Sequence, residues 1–185
     1  MKKIAILCLL LLVGFVFAAR GQAPATAPRP DPELKKMGAF VGHWTVERDY
    51  KPSALSPGGK VTGEVSLRWV LRGFFLEARE TEKGPTGETH FFEYYGYDPV
   101  NKTLTFNIMF DNGSFLSGTT AATESSSSWD GKYVTGGKEY RIRASIVFAP
   151  DGRSYNAKFE ISTDGKTWVP WWDGKYTKTE PAAKK

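Results

Sequence analysis

The chain has 185 residues, 41% hydrophobic and 14% aromatic, with six Trp, eight Tyr and twelve Phe; that length suits one domain with a packed core, and the composition leans towards strands. The formal charge is +5, but Lys2 and Lys3 belong to an N-terminal leader and Arg20 stands at its boundary; the 25 basic residues less these three leave 22 against 20 acidic ones. A balance that close to neutral excludes the basic surface of a nucleic-acid-binding domain.

Lys2 and Lys3 precede an apolar run, Ile4 to Phe17, and small residues follow at Ala18, Ala19 and Ala23. This order reads as a secretory signal peptide over residues 1–19. The run is too short to span a bilayer comfortably, so the expectation is export to the periplasm or the extracellular space, with no membrane attachment after cleavage; a retained anchor is the alternative. Cys8, the only cysteine, lies inside the run, so the mature chain has neither an internal disulfide nor a thiolate metal site. Residues 20–32 form a Pro/Ala-rich linker, because repeated proline denies backbone donors and favours an extended chain. The folded domain is expected over residues 33–178, with residues 179–185 a polar, disordered tail.

Glu33 to Phe40 reads as one short helical turn. Beyond it, segments alternate with period two between glycine turns. Val65, Leu67, Trp69 and Leu71 share one strand face, against Ser66 and Arg68; Arg72-Gly73 turns the chain, and Phe74, Leu76 and Ala78 continue the apolar face opposite Phe75, Glu77 and Arg79. His90 to Tyr97 is aromatic on both faces, as in a strand covered on both sides or lining a pocket. Asp98-Pro99-Val100-Asn101 ends it. Leu104, Phe106, Ile108 and Phe110 make the next apolar face, up to the Asp111-Asn112-Gly113 turn.

Phe115 to Thr123 is a more polar strand, Glu124 to Ser128 a serine-rich loop or weak edge strand, and Asp130-Gly131 and Gly136-Gly137 mark two turns. Tyr140 to Phe148 alternates cleanly, Asp151-Gly152 turns it into Tyr155, Ala157, Phe159 and Ile161, and Asp164-Gly165 leads to a last strand, Thr167 to Lys178. Pro170 cannot donate to a ladder and predicts a bulge or an edge there. Nine or ten sequential strands with short turns predict an all-β domain, an antiparallel up-and-down barrel, since closure removes exposed edges. A sandwich is the alternative.

Phe40-Val41-Gly42-His43-Trp44 resembles the Gly-x-Trp opening of lipocalin-like barrels, in which the Trp packs across the closed end. Trp69-Val70-Leu71-Arg72-Gly73-Phe74-Phe75-Leu76-Glu77, Gly96-Tyr97-Asp98-Pro99 and Ser162 to Trp168 with Tyr176 resemble a secreted bacterial family, domain-of-unknown-function family 1579, placed with lipocalin-like (calycin) barrels. The resemblance runs from Phe40 to Lys178. It implies a fold and a compartment and carries no catalytic residue.

The chemistry-bearing residues are few. His43 and His90 are too few for a three-ligand zinc site without carboxylates placed by the fold; His90 as a single haem ligand is set against a half-buried, hydrogen-bonded strand residue, and no cofactor or metal is expected. Glu77, Glu80, Glu82 and Glu93 suggest paired carboxylates, but alternation puts Glu77 beside Arg79, and ion pairs on a solvated face explain the group without catalysis. Gly-x-Ser-x-Gly is absent, and no glycine loop opens a helix.

The positive signal is aromatic. Trp69, Tyr95, Tyr97, Phe106, Phe110, Trp168 and Trp171, with Trp172, exceed what a minimal core needs and suit a cavity for a small apolar or amphipathic ligand, bound without catalysis. The competing reading is a filled barrel that self-associates as a homodimer or interaction module through an aromatic surface. A cavity lined by Trp and Tyr favours the first; a solid core with Trp171 or Trp172 exposed favours the second.

Overall fold

The computed structural model describes residues 27–53 and 55–180. The expected signal peptide, the start of the linker and residues 181–185 of the tail lie outside the described residues. Ten antiparallel strands follow one another: β1 (Gly42–Tyr50), β2 (Gly59–Val70), β3 (Phe75–Gly84), β4 (Gly87–Asp98), β5 (Thr103–Phe110), β6 (Phe115–Ala122), β7 (Ser126–Thr135), β8 (Lys138–Phe148), β9 (Ser154–Ser162) and β10 (Val169–Thr179). Each pairs with its sequence neighbours, and β1 pairs with β10, so the sheet is a closed up-and-down barrel. Closure leaves no unpaired strand edge. The sandwich alternative is thereby set aside.

Alternation governs the interior. On β8, Tyr140, Ile142, Ala144, Ile146 and Phe148 are buried while Arg141, Arg143, Ser145 and Val147 are exposed. Tyr155, Ala157, Phe159 and Ile161 answer them from β9. The outer charges form ion pairs: Arg143 donates to Glu160 at 2.6 Å and 3.1 Å, and Arg141 to Asp130 at 2.7 Å. Such exposed pairs contribute little to stability.

One end of the barrel is closed by a 3₁₀ helix, Pro32–Phe40, longer than the turn expected. Its buried residues Leu34, Met37 and Phe40 recur every third position, the repeat that puts one 3₁₀ face inward. Asp31 caps it by accepting from the Glu33 amide at 2.9 Å. Trp44, 1% exposed, crosses beneath; its indole N–H donates to the Phe40 carbonyl at 2.9 Å, and its ring meets Tyr155 edge-on at 4.9 Å.

Four local expectations change. Asp130-Gly131 is no turn: β7 runs through it, and Gly131 pairs with Gly118 on β6. A Cβ on Gly131 would stand 2.4 Å from the Ser117 carbonyl and 3.0 Å from the Phe106 ring, so glycine here supplies room for Phe106 to stack on Trp129 at 4.5 Å. The serine-rich stretch enters the barrel wall as well; Ser127 is buried, and its hydroxyl takes the Trp129 indole N–H at 3.2 Å and meets Thr120 at 2.7 Å. Leu71 leaves the apolar face of β2, because the turn takes three residues: Leu71, Arg72 and Gly73 all have positive φ, and Leu71 is 69% exposed. Phe74 sits in that turn, and β3 begins at Phe75.

The bulge predicted at Pro170 is present as a register shift between Pro170 and Trp172. It has a consequence for the interior, because two consecutive residues, Trp171 and Trp172, are both buried. Gly131→Ala should destabilise the protein by about 1–3 kcal/mol through overpacking, read as a lower urea midpoint with an unchanged slope; an unchanged midpoint would show that the β6–β7 approach is looser than described.

Candidate functional site

The barrel encloses a cavity of about 300 Å³. It opens at the end opposite the Trp44 plug, between the β1–β2 connection, the β3–β4 turn and the segment at Asn112, and it reaches inward as far as Phe40 and Tyr155. Trp129, Trp171, Trp172, Tyr95, Tyr133 and Tyr176 are among its lining residues. The rings brace one another: Trp172 stacks on Phe159 at 4.0 Å, Tyr155 on Tyr176 at 4.3 Å, and Trp171 lies 5.1 Å from Tyr133.

The aromatic residues expected to bind a ligand divide by strand face. Tyr95, Phe110 and Trp171 line the cavity. Phe106 points inward but is fully buried beneath Trp129, and half-buried Tyr97 lies one inward position beyond Tyr95, outside the cavity lining. Trp69 and Trp168 do not line it either. Trp69 is 37% exposed at the end of β2, and Trp168 precedes β10 with the Arg143 guanidinium 4.5 Å from its ring centre. Trp172 joins the lining because of the bulge.

What sequence reasoning missed is polar. Arg48, Glu80, Glu82 and Glu93 are all buried in the barrel interior and line the cavity. Only Glu77 lies on the outer face where the four carboxylates were expected; there it accepts from Arg68, Arg79 and Tyr94 at 3.0–3.3 Å. Those donors hold its carboxyl down at about 2, with the Arg79 hydrogen bond the largest cause. The other three obey the alternation that places Leu76 and Ala78 inward: two more steps along β3 reach Glu80 and Glu82, and Glu93 stands between inward Phe91 and Tyr95 on β4. The signal was parity itself. Composition points the other way, because charged residues are rarely fully buried unless paired.

Pairing is what the wall provides. Arg48 on β1 reaches Glu80 at 2.8 Å and makes a close ion pair with Glu82, both on β3. The intervening strand β2 places Gly63 between them, paired with Val46 on one side and Glu82 on the other. A Cβ there would lie 2.3 Å from the Thr81 carbonyl oxygen and 3.2 Å from Glu82 Cγ, so a side chain would clash with the β3 backbone and crowd Glu82. The guanidinium also donates from Nε to the Tyr176 hydroxyl at 3.0 Å, and its carbon lies 4.5 Å from the Trp172 ring centre. Two residues apart on the inner face of β4, the Tyr95 hydroxyl donates to Glu93.

Burial pushes the Glu80 carboxyl well up, against the opposing pull of Arg48, and neighbouring Glu82 and Glu93 add to the rise. Burial raises Glu93 too, opposed by the Tyr95 hydrogen bond and by Arg48. Three carboxyls around one cation, two of them held towards their protonated forms, can accept a donor-rich group or exchange protons with a bound molecule. The histidines take no part: His43 and His90 are exposed on the outer wall, His90 between Thr81 and Glu88 at 3.1 Å each. Among the described residues, no group of three or more His, Cys, Asp or Glu is placed to hold a metal ion.

Fold and interior together define a small closed β-barrel with an aromatic cavity and a charged group in its wall. The chain belongs to the family described as "Protein of unknown function (DUF1579)", whose model matches residues 29–178. Of solved structures, it is similar to Rv2717c from M. tuberculosis at 13% identity and a TM-score of 0.60, over 82% of this chain and 100% of that one, a likeness of fold alone. A de novo designed fluorescence-activating β-barrel matches at 14% identity and a TM-score of 0.40, over 77% of this chain and 95% of that one. No curated protein matches the chain.

Removing the cation should be costly in a pH-dependent way. Arg48→Met leaves the carboxyls buried without their counter-ion, a loss of about 3–5 kcal/mol at neutral pH. For Glu80 and Glu93 the folded-state affinity for protons then rises further above that of the unfolded chain, so the lost stability returns as pH falls through the raised folded range towards 4.5, the ordinary Glu value. Urea denaturation of both proteins at neutral and mildly acidic pH should show the gap narrowing on acidification; a pH-independent gap would mean that Arg48 acts only by packing.

Proposed function

We propose that this barrel is an exported binding module that takes one small amphipathic molecule into its cavity without covalent chemistry. The observation that carries the reading is the cavity itself: about 300 Å³ inside a closed barrel, open at one end, its Trp and Tyr rings lining the space where a filled core would have none. That volume lies at the lower end of small-molecule sites, which combine apolar walls with a few placed polar groups. Trp171 and Trp172 are each 6% exposed, so this tryptophan pair serves the interior. Export rests on the leader pattern of residues 1–19, with Lys2 and Lys3 ahead of the apolar run.

One surface feature supports a second reading, self-association. Phe92, Met109 and Phe115 lie directly side by side on β4, β5 and β6, each 40–43% exposed. Phe92→Ser would remove one end of that stripe without touching the cavity.

Titration with the neutral, environment-sensitive dye N-phenylnaphthylamine separates the two sites. Thr89, half-buried, lines the cavity, and Thr89→Trp should obstruct entry and weaken dye binding by about tenfold or more, while Phe92→Ser leaves it intact. Equal binding by the Thr89→Trp variant and the native protein, or loss on Phe92→Ser alone, would move the dye to the outer wall and overturn cavity binding.

A further inference from the structure

We propose that the charged group in the cavity wall receives a cationic head group, so that the molecule bound is an amphipathic amine: a protonated ammonium on an aromatic or aliphatic body. This rests on the cavity's being a binding site and adds the charge of what enters it.

Among the described residues, one buried side-chain acceptor in the cavity wall is left without a donor. Arg48 directs its donors to Tyr176 and Glu82, and its face is covered by Trp172. Tyr95 gives its hydroxyl proton to the hydrogen bond with Glu93. Glu80 Oε1 sits 2.8 Å from Arg48 Nη2, but off the N–H direction, so this fully buried oxygen accepts no hydrogen bond. The Glu80 side chain is 1% exposed and lines the cavity. A buried acceptor without a donor is costly, and a ligand N–H that reaches it would recover that cost.

Charge points the same way. One guanidinium stands among three carboxyls, Glu80, Glu82 and Glu93, and Tyr50, Tyr155 and Tyr176 face them from β1, β9 and β10, with no further cation on the cavity lining among the described residues. An anionic ligand would have to displace Glu80 and Glu82 from Arg48 and lie against the carboxyls it displaced. An ammonium brings three donors and a positive charge, replaces protons held on the raised carboxyls, and finds π faces at Trp171, Trp129 and Tyr133.

The test uses three molecules with one bicyclic body: naphthylmethylamine, protonated near neutral pH, with naphthylmethanol and naphthoate. Calorimetric titration of the mature protein should show the amine binding about tenfold or more tightly than either of the others. In Glu80→Gln, checked for a native near-UV circular dichroism spectrum, the preference should shrink to about twofold; Glu93→Gln serves if Glu80→Gln does not fold. Tightest binding of naphthoate would make Arg48 the head-group partner and overturn the inference, and equal binding of all three would overturn it while cavity binding stands. Binding of none would remove both.

Discussion

The ion cluster around Arg48 is the constraint on which the interior depends. A guanidinium inside a barrel is tolerable only with its counter-charges in contact, and here those counter-charges come from two strands away. Glu80 and Glu82 lie on β3, Arg48 on β1, and Gly63 on β2 leaves the crossing open. The cluster therefore fixes the register of three neighbouring strands at once. A slip of one residue would turn Arg48, or both glutamates, to the solvent face.

The same cluster forms part of the cavity wall. Arg48 lies against the Trp172 ring, and aromatic side chains pair with one another around the interior: Trp172 on Phe159, Tyr155 on Tyr176, Phe106 on Trp129. The cavity is bordered by both rings and ions. At one end the 3₁₀ helix and Trp44 seal it; at the other only connecting segments border it.

Much of this was legible in the sequence. Strict alternation on β5, β8 and β9, short glycine turns and Pro170 carry the reading of nine or ten strands, because one buried face per strand makes period two visible. Failure came where two signals compete. Asp130-Gly131 has turn chemistry yet lies mid-strand, since Gly131 answers a close approach to Gly118 and not a change of direction. Glu80, Glu82 and Glu93 follow the inward parity of their strands, but their charge argues for solvent, and the partner that reverses the argument, Arg48, lies 32 residues earlier than Glu80 in the sequence. Non-local pairing of that kind leaves no mark on a single strand. Trp69 and Trp168 err in the opposite sense, since aromatic character alone does not assign a face.

Carboxyl groups held inside the barrel beside one cation, with Glu80 and Glu93 pushed towards their protonated forms by burial, are the feature from which the rest follows. Carbon-detected NMR of Glu side-chain carboxyls across a pH titration measures this directly. Two glutamates, whose signals are removed by Glu80→Gln and Glu93→Gln respectively, should titrate above the ordinary Glu value of 4.5, with Glu77 titrating well below it. If Glu80 and Glu93 titrate with the exposed glutamates, those side chains reach water, and a buried, acceptor-rich cavity wall is contradicted.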